Sequence, residues 1–169
     1  MIALALLKKE VMYMDDSKKI SKVDESSKQF IMEMLGDNQT HGIDVDCVYF
    51  KGDKSWLIME FLKCDTVDPF DSHPNRYAKN WKKFATLFEI AKGLKGELWL
   101  VNYSFEVKWK NNVKLLKVKN VDIGAVKAAP TLFNTYVNYL IADEEQMELD
   151  KFKQIFNDIN NNAQGAWEN

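Results

Sequence analysis

Cysteine, histidine and proline are scarce in this chain, and each scarcity excludes a class of protein. Two cysteines in 169 residues, Cys47 and Cys64, form no CxxC pair. They do not make a disulfide framework and point to a reduced, cytoplasmic setting. Two histidines, His41 and His73, are too few for a zinc site of ordinary Cys/His spacing. Three prolines and seven glycines exclude collagen-like and proline-rich classes. No apolar run approaches the ~20 residues of a membrane span. The longest opens the chain and stops at Lys8 and Lys9. Basic residues that follow an apolar run, instead of preceding it, do not make a secretory signal, and no membrane partner is expected. A P-loop, a Rossmann glycine pattern, an HExxH helix and a nucleophile elbow are all missing from the sequence.

What is present is enough for one domain spanning residues 1–169. The chain is 46% hydrophobic and 12% aromatic, which supports a buried core and excludes a mostly disordered polymer. Net charge is only −2, but it is segregated. Residues 1–74 carry 9 basic and 14 acidic groups, residues 75–120 carry 11 and 3, and residues 121–169 carry 3 and 8. A basic middle in an acidic chain suggests a surface facing a polyanion; a solvated helix face and a lysine-rich ribbon would give the same pattern.

Patterning predicts the elements. Residues 1–14 fit a helix or a strand equally. Asp24 as N-cap, Phe30, Ile31, Met34 and Leu35 at helical spacing, and Gly36 as a stop predict a helix over 24–35. Two β-rich runs, 43–50 and 55–63, flank the turn Lys51-Gly52-Asp53-Lys54 and predict a hairpin. Its second strand is apolar on both faces at 57–59 and is therefore central in its sheet. Residues 65–74 read as a loop. A helix follows over 75–92, with Tyr77, Trp81, Phe84, Phe88 and Ala91 on one stripe. Residues 97–103 read as a buried strand. Lysines alternating with apolar residues in 105–110 and 113–118 predict a second hairpin around Asn111-Asn112. Two helices, 131–142 and 144–159, close the chain, followed by a frayed tail at 160–165. The fold class is α/β, at the boundary with α+β: a mixed central sheet flanked by helices, with a C-terminal β-ribbon and helical hairpin.

One hairpin carries the chemistry. Asp44 and Asp46 lie on its first strand, and Glu60 and Lys63 on its second. A hard divalent cation needs oxygen ligands on a rigid frame, and opposed residues of paired strands hold their Cβ atoms ~5 Å apart. Asp44 and Asp46 share a face in any regular register. A loop over 51–53 opposes Asp44 to Glu60, a loop over 52–54 opposes Asp46 to Glu60, and a loop over 51–54 turns Glu60 to the other face. Convergence therefore requires an odd loop or a bulge, which Gly52 makes easy. Glu60 sits inside an apolar run, where a carboxylate is costly unless metal-bound or paired with a lysine. Asp44 and Asp46 can equally be solvent-facing residues of an edge strand.

The stretch Gly42-Ile43-Asp44-Val45-Asp46 with Leu57-Ile58-Met59-Glu60-Phe61-Leu62-Lys63 resembles the active-site hairpin of the PD-(D/E)XK nuclease superfamily, the restriction-endonuclease-like fold. In that family a helix precedes the hairpin, an acidic residue on one strand faces an E-x-K signature on the next, and a helix and strand follow. The resemblance covers residues 20–103 and leaves 104–169 as additions. It implies a Mg²⁺- or Mn²⁺-dependent nuclease acting on DNA, with Asp46 and Glu60 as metal ligands and Asp44 as rival or auxiliary. The family lysine stands two residues after the glutamate. Leu62 holds that place here, and Lys63 is one residue late. Either a bulge near Phe61 turns Lys63 inward, or the role has moved to the next helix, to Lys82 or to its neighbours Lys79 and Lys83.

Nucleic-acid contacts are expected from Lys79, Lys83, Lys108, Lys110, Lys114 and Lys117, with Trp109 available to stack a base. Glu25 and Glu33 on the first helix are auxiliary candidates, and His73 is a candidate base. A homodimer would suit cleavage of two strands. The competing reading is a non-catalytic nucleic-acid- or protein-binding module on a degenerate nuclease-like fold.

Overall fold

The structure is a computed structural model that describes residues 26–37, 42–52, 54–133 and 135–166. The expectations for residues 1–14, Asp24, Glu25 and His41 lie outside the described residues. The chain divides into two compact units, Met1–Gly42 and Ile43–Asn169. In the first unit, helix α1 spans Ser26–Leu35, ends at Gly36 with a positive φ of 54°, and exposes Glu33.

In the second unit five strands form one sheet in the order β1-β2-β3-β4-β5. They are β1 (Cys47–Gly52), β2 (Ser55–Lys63), β3 (Glu97–Tyr103), β4 (Asn112–Val121) and β5 (Leu140–Glu148). β2 and β3 are parallel, and every other neighbouring pair is antiparallel. A parallel pair cannot close through a hairpin. The crossover here is a 3₁₀ helix, Pro74–Asn80, running into α2 (Trp81–Gly93). Gly96 then lets the chain enter β3, because a Cβ there would overlap the Trp56 carbonyl. Helices α3 (Ile123–Ala128) and α4 (Leu149–Ala166) complete the unit.

Side-chain alternation sorts the core into two layers. Ile58, Leu98, Leu100 and Leu116 pack with Phe84, Leu87 and Ala91 of α2. Leu57, Met59, Val101, Val113 and Leu115 pack with Phe152, Ile155 and Phe156 of α4. Each fully buried aliphatic side chain stabilises the fold by ~1.5–3 kcal/mol. The sheet is thus covered on both faces, which explains why β2 is apolar on both sides. This is the expected α/β architecture, a mixed sheet between helices.

The C-terminal additions differ from the expectation. Residues 105–110 are not a strand but part of a turn, closed by Trp109 N–H donating to Glu106 O and Asn112 N–H to Trp109 O, at 2.8 and 2.9 Å. The ribbon partner of β4 is β3. In place of the helix expected over 131–142, residues 135–139 run without regular structure into β5 at Leu140, and the expected helical hairpin is one strand and one helix. The cause is non-local: the acidic strand lies against the lysine-rich one, with Lys117 opposite Asp143 and ion pairs Lys114–Glu144 and Lys119–Asp143 at 2.6 and 2.9 Å. The tail at 160–165 is not frayed but belongs to α4. The stripe residue Tyr77 sits at a kink in the 3₁₀ helix with non-helical torsions and is exposed. Among the described residues, no helix is long and apolar enough to cross a membrane.

Candidate functional site

The hairpin register decides which carboxylates meet. Cys47 pairs with Met59 and Phe50 with Trp56, and a bulge between Phe50 and Gly52 shifts the ladder before Gly52 meets Ser55. The ladder stops at Cys47–Met59; its register, extended one step, would oppose Asp46 to Glu60, and the Asp46 charge does act on Glu60. This is the register that the 52–54 loop would give, and Gly52 absorbs the bulge with a φ of 80°. Asp46 Oδ2 accepts the Phe61 amide at 2.7 Å, which ties the carboxylate to β2 beyond the last ladder pair.

Glu60 shares its face with Ile58 and points toward α2. It is 3% exposed. Its Oε1 is paired with the Lys83 ammonium from α2, and its Oε2 has no hydrogen-bond partner. Lys83 Nζ also reaches Asp44 Oδ1 at 3.0 Å. Burial pushes the Glu60 carboxyl above its ordinary range; the Lys83 hydrogen bond opposes this, and the charges on Asp46 and Asp44 add to it. For Lys83, burial pulls the ammonium down, but its bonds to Glu60 and Asp44 outweigh that and hold it above its ordinary value.

The other lysines fall elsewhere. β2 stays in register with β3 through Lys63–Tyr103, so no bulge turns Lys63 inward. It is one position out of phase with Glu60, pairs with Asp65 at 3.0 Å and lies 5.6 Å from the Phe105 ring centroid. The Lys63 expectation is corrected on that ground. Lys82 is exposed, 6.0 Å from the Trp81 ring, and the helix lysine that meets Glu60 is Lys83. Lys114 is also corrected. It is 5% exposed, and its Nζ is held by Glu144, Phe70 O and Ser72 O, so it cannot meet a phosphate. Lys117 is half-buried over the Trp99 ring. Lys79, Lys108 and Lys110 are exposed, with Lys108 stacked on Trp109 at 3.7 Å.

His73 caps the 3₁₀ helix. Its Nδ1 accepts the Asn75 amide at 3.1 Å, and its Nε2 lies 3.2 Å from Glu144 Oε1. Both nitrogens are engaged, so a structural role replaces the role of base. Sequence reading missed this second polar group of His73, Lys114 and Glu144, because Glu144 was placed on a helix.

Among the described residues, no cluster of three or more His, Cys, Asp or Glu side chains is close enough to hold a metal ion by itself. Asp44 and Asp46, expected on the first strand, precede it: β1 begins at Cys47, and both aspartates lie on the segment that leads into it. What the arrangement offers is Glu60 on β2 with one buried oxygen without a partner, the two aspartates ahead of β1, and an ammonium. No family model, curated protein or solved structure matches the chain.

Proposed function

We propose that this protein is a divalent-metal-dependent nuclease that hydrolyses phosphodiester bonds in DNA. The observation that carries the reading is a buried Glu60 on β2, paired with Lys83 from α2 and close enough to Asp46 and Asp44 to feel their charges. The element order around it, α1, hairpin, helix, strand, is also the order of the nuclease family that the hairpin resembles.

The donor set suits Mg²⁺ or Mn²⁺. Mg²⁺ is commonly held by only one or two carboxylates, with waters and substrate phosphate completing the shell, and Glu60 Oε2 is a buried acceptor without a partner. Asp46 and Glu60 would hold the ion, with Asp44 at the rim. When bound, such an ion lowers the pKa of a water and polarises the scissile phosphate. Asp46 is oriented by the Phe61 amide and Glu60 by its place in β2. Lys83 carries the positive charge that stabilises charge developing on the phosphate oxygens. Lys79 and Lys82, exposed near the same helix end, offer phosphate contacts, as do Lys108 and Lys110 on the β3–β4 turn.

A second reading has its own support: Lys83 already neutralises Glu60 and Asp44, as in a purely structural ion pair within a binding module. Calorimetric titration of Mg²⁺ and Mn²⁺ into wild type, Asp46→Asn and Glu60→Gln, with cleavage assayed on DNA and RNA, separates the two. Metal binding and cleavage abolished together in both variants support the nuclease. A folded wild type that binds neither ion, with Glu60→Gln altering only stability, leaves the binding module.

A further inference from the structure

Beside the carboxylate–lysine group lies a cavity of about 250 Å³. It opens at the carboxyl ends of the parallel strands β2 and β3, the place where open α/β sheets bind ligands. Its walls include Leu62 and Cys64 from the end of β2, Asn102 from β3, Tyr77 and Asn80 from the 3₁₀ helix, and Phe84 from α2.

Asn102 is the informative wall. It is 1% exposed, and its amide orientation is set because Nδ2 donates to Ser72 O at 2.9 Å and Pro69 O at 3.4 Å. Its Oδ1 is left buried with no partner. A buried acceptor without a donor is costly and uncommon, and an N–H from a ligand would satisfy it. The remaining walls mix apolar side chains, Phe61, Leu62 and Phe84, with the polar Lys63, Ser72 and Asn80, and the half-exposed Tyr77 supplies a ring that a flat ligand can stack on. The volume is below the ~300–1,000 Å³ of sites for drug-sized molecules, so the occupant is a single ring system.

Position supplies the last constraint. Leu62 stands two residues beyond Glu60 on the same face of β2, about 7 Å along the strand, and Phe84 follows Lys83 on α2. A ring in the cavity would leave its sugar and phosphate directed along β2 toward Glu60 and Lys83. We propose that the cavity receives a nucleobase, with Asn102 Oδ1 accepting from a ring or exocyclic N–H. The identity of the ring rests on the nuclease reading; the cavity and its unpartnered acceptor do not.

The test is calorimetry on the full chain with the four nucleoside 5′-monophosphates and, as the base-free control, ribose 5-phosphate. At least one nucleotide is expected to bind ~10-fold or more tightly than the sugar phosphate. Leu62→Trp, which fills the cavity, should abolish that difference, and Tyr77→Ala, at an exposed position where folding is retained, should reduce it about tenfold by loss of stacking. Nucleotides binding no better than ribose 5-phosphate, or folded Leu62→Trp binding as wild type does, would overturn the proposal. A single-stranded trinucleotide, intact and with its central site abasic, separates the sources. Dependence on the central base assigns a base within a strand, and a mononucleotide that binds as tightly assigns a free nucleotide. Base binding without cleavage would remove the nuclease reading and keep the cavity, whereas cleavage without base binding would do the reverse.

Discussion

Lys83 and Glu60 meet between α2 and β2, the ammonium on Oε1 of a carboxylate that is 3% exposed. The partners are unequally buried, since the Lys83 side chain keeps 27% of its exposure. Removing the lysine therefore leaves a buried carboxylate without its cation, whereas removing the carboxylate leaves a lysine that still has Asp44.

Lys83→Met is expected to cost about 2–3 kcal/mol, below the ~3–5 of a fully buried pair because Lys83 is partly solvated. Glu60→Gln should cost less, and the double variant less than the sum. Urea unfolding of the cycle checks the order. Glu60→Gln proving costlier than Lys83→Met would contradict this burial asymmetry.

In a cleavage assay, Lys83→Met should lower the rate about 10²–10³-fold, the usual effect of removing one group that stabilises developing charge. Lys63→Met and Lys82→Met should stay near wild type, because one side chain is engaged with Asp65 and the other lies over Trp81. A large drop in either, with Lys83→Met active, would move the cation away from α2.

Lys108→Ala and Lys110→Ala should each flatten the salt dependence of DNA binding by about 0.9 for every phosphate the lysine had neutralised, with little change in stability. Lys114→Met should do the opposite. Its side chain is 7% exposed and bonded to Glu144, so stability should fall by about 3–5 kcal/mol with an unchanged salt slope. Binding isotherms at several salt concentrations, paired with denaturant melts, read both quantities.

Burial holds His73 below its ordinary value of 6.5, Glu144 opposes that, and Lys114 reinforces it. The unfolded chain therefore binds the His73 proton more readily than the folded one. Stability should fall as pH drops below 6.5 and rise as pH returns through that window. His73→Asn keeps an oxygen to accept the Asn75 amide and has no titrating group, so its stability should vary less from pH 5 to 7. An unchanged slope in urea melts across that range would assign the pH dependence to other groups.

The local patterns were legible because they rest on local physics. Two-residue alternation in 55–63 and 97–103 and the 3.6-residue period of α2 follow from backbone geometry alone. So did the isolation of Glu60 in an apolar strand, which marks a carboxylate that must be paired or bound. The choice of lysine was not legible. Successive helical residues turn by ~100°, and the stripe of Trp81, Phe84, Phe88 and Ala91 leaves Lys82 and Lys83 about equally far from its centre. The buried line is in fact Phe84, Leu87 and Ala91, which brings Lys83 to the flank facing β2 and turns Lys82 to solvent.

The amino-acid sequence by itself determined the α/β class, the hairpin and its candidate carboxylates, since each depends on neighbours within a few residues. Tertiary structure alone decided the hairpin register that pairs Cys47 with Met59, because a single bulge between Phe50 and Gly52 sets it. It also decided that residues 140–148 are a strand. Their acidic side chains lie against the lysines of β4, a pairing between segments distant in sequence that no local window contains. The same pairing uses part of the basic middle internally, so Lys114 and Lys119 answer Glu144 and Asp143 while Lys108 and Lys110 remain at the surface.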